Sequence, residues 1–113
     1  MYKQGDILLI PIPFSDLSSN KKRPVLVLSN NDYNNKTEDI IVAAITSNLA
    51  EKDYIVMLSS NDLEKGTLKV DSCIRVDKIY TLSQKIVMSK FGVVKNHILD
   101  GVRKKLYELI LKG

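Results

Sequence analysis

Apolar residues occur mainly in short runs separated by polar segments, a pattern typical of strands. Two runs, residues 24–29 and 39–47, are almost continuously apolar, which predicts strands buried on both faces. Strands are also predicted at the positions 6–13, 53–58, 68–78 and 85–94. The polar stretch 30–38 is predicted to be a turn-rich loop, and 59–66 one helical turn and a bend.

Polar and apolar residues alternate between 71 and 78, so Ile74 and Val76 are predicted to point one way and Arg75 and Asp77 the other. Near the C-terminus the apolar residues recur at helical spacing. They are Ile98, Val102, Leu106, Leu109 and Ile110. This spacing predicts an amphipathic helix with Asn96 as its N-cap. The whole pattern favours one mainly β domain over residues 1–113, a small β-barrel or two-sheet fold closed by the helix.

The composition excludes several classes of protein. The 113 residues fit one domain, and the net charge of +4 permits nucleic-acid binding without requiring it. The single cysteine, Cys73, excludes an intramolecular disulfide and a cysteine-clustered zinc site, and it is expected in the core. Without an apolar run of membrane-spanning length or a signal-peptide pattern, the protein is expected to be cytoplasmic.

A basic stretch, Lys21-Lys22-Arg23, directly precedes Pro24 and its apolar run. Proline holds the preceding residue extended, so Arg23 is predicted at the mouth of a strand that starts at Pro24. Such a position holds a guanidinium ready for a phosphate. The alternative is a solvated basic loop that leads into a core strand.

Two hydroxyl residues, Thr46 and Ser47, end the next predicted strand. If the two strands form a hairpin, the start of the first lies beside the end of the second, so Arg23 approaches Thr46. A strand-end threonine more often caps a turn, and that alternative stays open.

The candidate chemistry is cleavage of RNA, whose own 2′-OH attacks the adjacent phosphorus. Arg23 would stabilise the added negative charge, Thr46 would bind a phosphate oxygen, and Asp77 would take the proton. The products would be a 2′,3′-cyclic phosphate and a 5′-OH. The only histidine, His97, leaves no histidine pair for acid–base work, and no carboxylate cluster suggests two magnesium ions. Arg75 and Asp77 would otherwise be a simple exposed ion pair.

Four segments together resemble the MazF/PemK family of toxin endoribonucleases. They are GDILLIPIPF (5–14), KRPVLVLS (22–29), IVAAITS (41–47) and DSCIRVDKIYTL (71–82). The resemblance covers nearly the whole chain. It implies an SH3-like β-barrel of the CcdB/PemK type, a homodimer, and the toxin of a type II toxin–antitoxin pair that cuts single-stranded RNA without a metal or other cofactor.

The family's catalytic arginine and threonine fall on Arg23 and Thr46, and its acidic position falls on Asp77. The candidate substrate-binding residues are Asp16, Lys21, Lys22, Ser47 and Arg75. The first loop, 14–22, has no histidine and is not rich in glycine, unlike that of many members. The proton for the leaving 5′-oxygen would therefore come from Arg23, from water or from a lysine.

The implied partners are single-stranded RNA and an antitoxin with an acidic, partly disordered tail that binds in a basic groove across the dimer. Two other functions fit the same scaffold. One is a CcdB-like, non-catalytic inhibitor of a topoisomerase, and the other is an RNA-binding module without activity.

Overall fold

The computed structural model describes residues 1–12, 21–50 and 53–111. Seven strands lie in these ranges: β1 Asp6–Ile12, β2 Lys21–Val27, β3 Asp39–Thr46, β4 Ile55–Leu58, β5 Leu63–Gly66, β6 Ser72–Ser83 and β7 Ser89–Val94. Two α-helices accompany them: α1 Asn31–Lys36 and α2 Asn96–Leu111.

The strands form one curled antiparallel sheet in the order β4-β6-β3-β2-β1-β7-β5. The mainly β fold with a C-terminal helix, predicted from the hydrophobic pattern, is confirmed. Two pairs of sequence neighbours, β1–β2 and β2–β3, also pair in the sheet, whereas β6 and β7 lie on opposite sides of them. The remaining strands β4, β6, β5 and β7 extend this central hairpin pair to both sides.

The sheet has an apolar cluster on each face. One cluster contains Ile7, Leu26, Ile45 and Ile74 and is covered by α2. The other is built around Leu8, Val25 and Val42. Both continuous apolar runs of the sequence therefore contribute to both faces, as their lack of alternation predicted.

Helix α2 follows the predicted apolar spacing except at its end, since Leu106 packs against the core and Leu109 is half-buried. Ile98, Leu99 and Val102 are buried, whereas Ile110 is 72% exposed. The helix begins at Asn96, so the prediction of that residue as a cap preceding the helix was wrong.

Several predicted element boundaries differ from the structure. Strand β2 starts at Lys21 rather than Pro24, because the basic stretch pairs with β1 through Ile10–Arg23 and its neighbours. The segment 59–66 contains a 3₁₀ turn followed by a strand, β5, that was not predicted. The strand predicted from 68 begins at Ser72 and extends to Ser83.

A short helix, α1, occupies part of the predicted loop 30–38. Asn30 caps it, because its side-chain oxygen accepts a hydrogen bond from the Tyr33 amide at 2.8 Å. The Gln84 side chain then ties α1 to the sheet. Its amide nitrogen donates to the carbonyls of Asn34, Thr37 and Asp39, and its oxygen accepts from the Tyr2 amide.

Candidate active site

A cleft of about 390 Å³ lies where β2 begins and β3 ends. Its charged and hydroxyl lining comes from Lys22, Arg23, Thr46, Ser47, Thr67, Lys69 and Ser72. Apolar side chains form the rest, among them Leu9, Pro24, Leu68 and Phe91. A cleft of this size lies at the small end of the range for ligand sites.

Strand register brings Arg23 and Thr46 together. β2 and β3 pair one to one, with Val25 opposite Ala44 and Val27 opposite Val42. Continuing this register by two residues places Arg23 opposite Thr46. Both residues also line the same cleft, so a guanidinium and a hydroxyl at these positions can contact one phosphate.

The hydroxyl of Thr46 is oriented by the chain that follows it. Its oxygen accepts a hydrogen bond from the Asn48 amide at 3.1 Å. A hydroxyl has one proton to donate, so this contact leaves that proton for a ligand oxygen. The turn-capping role considered for this residue is therefore present, and it leaves the hydroxyl proton available.

Arg75 and Asp77 form an ion pair with two hydrogen bonds, Nε to Oδ1 at 2.8 Å and Nη2 to Oδ2 at 2.7 Å. The hydrogen bonds from Arg75 hold the pKa of the Asp77 carboxyl below its ordinary value. The same contact raises the pKa of Arg75. Neither residue lines the cleft. Arg75 pairs with Ala44 of β3, and Asp77 lies in the register shift between Arg75 and Ile79.

Only some of the other predicted residues line the cleft. Lys22 and Ser47 line it, and Lys21 is exposed at the start of β2. Asp16 lies outside the described residues. Cys73 is buried and lies opposite Thr46 in the β3–β6 ladder. His97 contacts the Asp62 carboxylate at 2.9 Å.

The sequence patterns gave no sign of one wall of the cleft, formed by Thr67, Leu68, Lys69, Val70 and Phe91. Pairing of β5 with β7 brings these residues to the site. The four residues of β5, of which only Leu63 is apolar, show no strand pattern, so the pairing of β5, and with it this wall, had no local signal.

The sequence was also compared with protein families. Residues 3–110 match the PemK-like, MazF-like toxins of type II toxin–antitoxin systems. The chain belongs to this family. The predicted resemblance is thereby confirmed over nearly the whole MazF-like chain, whereas curated proteins give no significant match.

Solved structures share the fold of this MazF-like toxin at low sequence identity. An endoribonuclease in complex with its cognate antitoxin, from a mycobacterial species, has a TM-score of 0.77 and 16% identity, covering 100% of this chain and 98% of the other. The Mycobacterium tuberculosis toxin MazF-mt6 has a TM-score of 0.76 and 17% identity, covering 96% of this chain and 98% of the other. MazF from Deinococcus radiodurans has a TM-score of 0.74 and 22% identity, covering 97% of this chain and 96% of the other.

Across residues 1–12, 21–50 and 53–111, no three side chains of His, Cys, Asp or Glu come together as a metal site would require. Neither α1 nor α2, the helices of that same part of the chain, has the length and apolar content to cross a membrane.

Proposed function

We propose that this toxin is a metal-independent endoribonuclease that cuts single-stranded RNA at short sequences. The observation that carries the proposal is the shared cleft of Arg23 and Thr46, at facing positions of neighbouring strands, in a chain of the MazF-like family. The RNA supplies the nucleophile, since its 2′-OH attacks the adjacent phosphorus and leaves a 2′,3′-cyclic phosphate and a 5′-OH.

The roles in the cleft follow from charge and geometry. Arg23 stabilises the charge that develops on the phosphorane, and Thr46 donates a hydrogen bond to one of its oxygens. Lys22 and Ser47, at the same strand ends, bind the RNA backbone next to the scissile phosphate. Lys22 and Lys69 are the lysines in the cleft from which the leaving 5′-oxygen can take its proton.

The geometry favours a positioning role for Asp77 over the predicted role as base. Its carboxylate is held by Arg75, and its lowered pKa makes it a weak proton acceptor. We propose that Asp77 orients Arg75, and that Arg75 contacts RNA beyond the cleft.

The proposed partners follow from the same site and from exposed surface. An antitoxin with an acidic tail would compete with RNA for the basic cleft. A homodimer would cover the exposed apolar end of α2, where Tyr107, Ile110 and Leu111 are all more than half exposed. We propose the cytoplasm as the compartment, because messenger RNA is the substrate.

The decisive experiment incubates purified protein with a mixed RNA pool in EDTA and maps the new ends by sequencing. We expect 5′-OH and 2′,3′-cyclic phosphate ends at a recurring short sequence, and none from Arg23→Ala. Arg103→Ala is the matched control, because Arg103 is an exposed arginine of α2 paired with Asp100. An RNA pool left intact by the unmodified protein contradicts the proposal.

The same preparation separates the two other functions. RNA that is bound but uncut would indicate an RNA-binding module without activity. Topoisomerase-dependent DNA breaks in cells, without RNA cleavage, would indicate a CcdB-like inhibitor.

A further inference from the structure

The wall formed by residues 67–70 and Phe91 stands beside Arg23 and Thr46 in one cleft. We propose that this wall is a nucleobase subsite, which holds the base of a nucleotide next to the scissile phosphate. The inference rests on the proposed function, because it assigns the part of the substrate that the apolar half of the cleft takes.

A close backbone contact sets the position of the wall. Gly66 has a φ of +90°, and a Cβ added there would lie 2.2 Å from the Phe91 carbonyl oxygen. Only glycine permits both this conformation and this approach. Segment 67–70 therefore leaves β5 at a fixed point, directly beside the strand that carries Phe91.

Hydrogen bonds fix the segment again at its middle and its end. The Ser60 hydroxyl donates to the Leu68 carbonyl at 3.1 Å and accepts from the Leu68 amide at 2.8 Å. The Ser72 hydroxyl donates to the Val70 carbonyl at 3.2 Å. The wall is thus preorganised, which lowers the entropic cost of binding a ligand against it.

Phe91 is displaced from the regular ladder. Ile7 pairs with Gly92 and Leu8 with Lys90, so Phe91 is the extra residue of a β-bulge between them. Bulges near sites re-aim a side chain. The ring of Phe91 is half-buried, packs against the core beside Leu68 and lines the cleft.

The surrounding charges favour a nucleotide as the occupant. Lys22 and Arg23 line the same cleft as this wall, the wall itself carries Lys69, and none of the described residues that line the cleft is acidic. Stacking of bases on aromatic side chains in a positively charged groove is a common way for proteins to bind single-stranded nucleic acid. An acidic peptide is the competing occupant, and the experiment below tests it.

The test measures binding to a random 2′-O-methyl RNA decamer, which cannot attack its own phosphates, and to a decamer of the same backbone without bases. We expect the bases to improve the affinity of the unmodified protein about five- to hundredfold. Phe91→Leu should lose most of that gain, while Tyr107→Leu, a change of an exposed ring on α2, should keep it. Arg23→Ala should weaken both ligands alike.

Ser60 provides a second test that spares the wall's own side chains. Ser60→Ala should reduce the gain from the bases, and Ser60→Thr, which keeps the hydroxyl, should restore it. In cleavage assays Ser60→Ala should raise KM and leave kcat unchanged.

Each outcome decides the subsite independently of the cleavage chemistry. Equal affinity for the two decamers, or an undiminished gain in both Phe91→Leu and Ser60→Ala, overturns the subsite even if the protein cuts RNA. A gain that depends on Phe91 in a protein that cuts no RNA supports the subsite and refutes the proposed function. If binding of an acidic peptide depends on Phe91, while the bases of the decamer add no affinity, the wall is a peptide-binding surface and the proposal is overturned.

Discussion

Arg75 donates hydrogen bonds to both carboxylate oxygens of Asp77, two residues further along the same strand, from Nε at 2.8 Å and from Nη2 at 2.7 Å. The register of β6 against β3 shifts just beyond Arg75, because Ala43 pairs with Ile79 and Ala44 with Arg75. The ion pair therefore lies at an irregular part of the β3–β6 ladder, although Arg75 itself still pairs with Ala44 and Ile55.

Asp77→Asn should reduce cleavage by less than about tenfold, since loss of a general base costs about 10²- to 10⁴-fold. Arg75→Ala should produce a similar loss, and the double variant should be no worse than either single variant. Single-turnover kinetics of the three variants provide the measurement. A loss above about a hundredfold for Asp77→Asn alone would return the base role to this residue.

Arg23→Lys and Thr46→Val should each lower kcat by about 10²- to 10³-fold, the usual cost of removing one donor to a developing oxyanion. Lysine keeps the charge of Arg23 but loses the two-pronged contact with a phosphate. Valine keeps the shape of Thr46 without its hydroxyl, and Thr46→Ser should retain most activity. Circular dichroism and thermal unfolding check that the fold persists, and full activity in either variant would remove that residue from the proposed chemistry.

Acid should destabilise the protein through Asp62. The Ser59 amide donates to its carboxylate at 2.9 Å and lowers its pKa, and His97 adds to the effect. A pKa below the ordinary 3.8 means that this stabilisation is fully present above that value and is lost as pH falls through the folded pKa.

Asp62→Asn should therefore be less stable than the unmodified protein at neutral pH and lose less stability on acidification. Urea unfolding midpoints over a pH series measure both effects. Parallel curves for the two proteins would show that Asp62 does not carry this part of the acid response.

Gly66→Ala should destabilise the protein by more than about 1–2 kcal/mol, because alanine is strained at positive φ and its Cβ would meet the Phe91 backbone. Gly101→Ala is the matched control. Its Cβ would meet only Val56 methyl groups at 3.6 Å and 3.8 Å, and alanine favours a helix by up to about 1 kcal/mol. Opposite changes in the free energy of unfolding are expected, and equal changes would contradict the close approach.

The core of the fold could be predicted because its signal is local. Ile74 and Val76 are buried, as the alternation of β6 required, and the continuous runs of β2 and β3 are buried on both faces. The approach of Arg23 to Thr46 needed one further assumption, a hairpin, and the paired strands supply it.

The second wall could not be predicted, because its cause is remote in sequence. β5 contains one buried residue, Leu63, and it is a strand because β7 offers it hydrogen bonds. The start of β2 was missed for a similar reason. Lys21 and Lys22 are polar, and their extended conformation follows from pairing with β1.

The side chain of Gln84 joins parts of the protein that are far apart in sequence. Its amide group makes hydrogen bonds to the backbone of four residues: Asn34, Thr37, Asp39 and Tyr2. If either the N-terminal residues or α1 moved away, some of these hydrogen bonds would break. These two segments should exchange their amide hydrogens with solvent as one cooperative unit. A tag placed ahead of Tyr2 would then change the hydrogen exchange of α1, about thirty residues away in sequence.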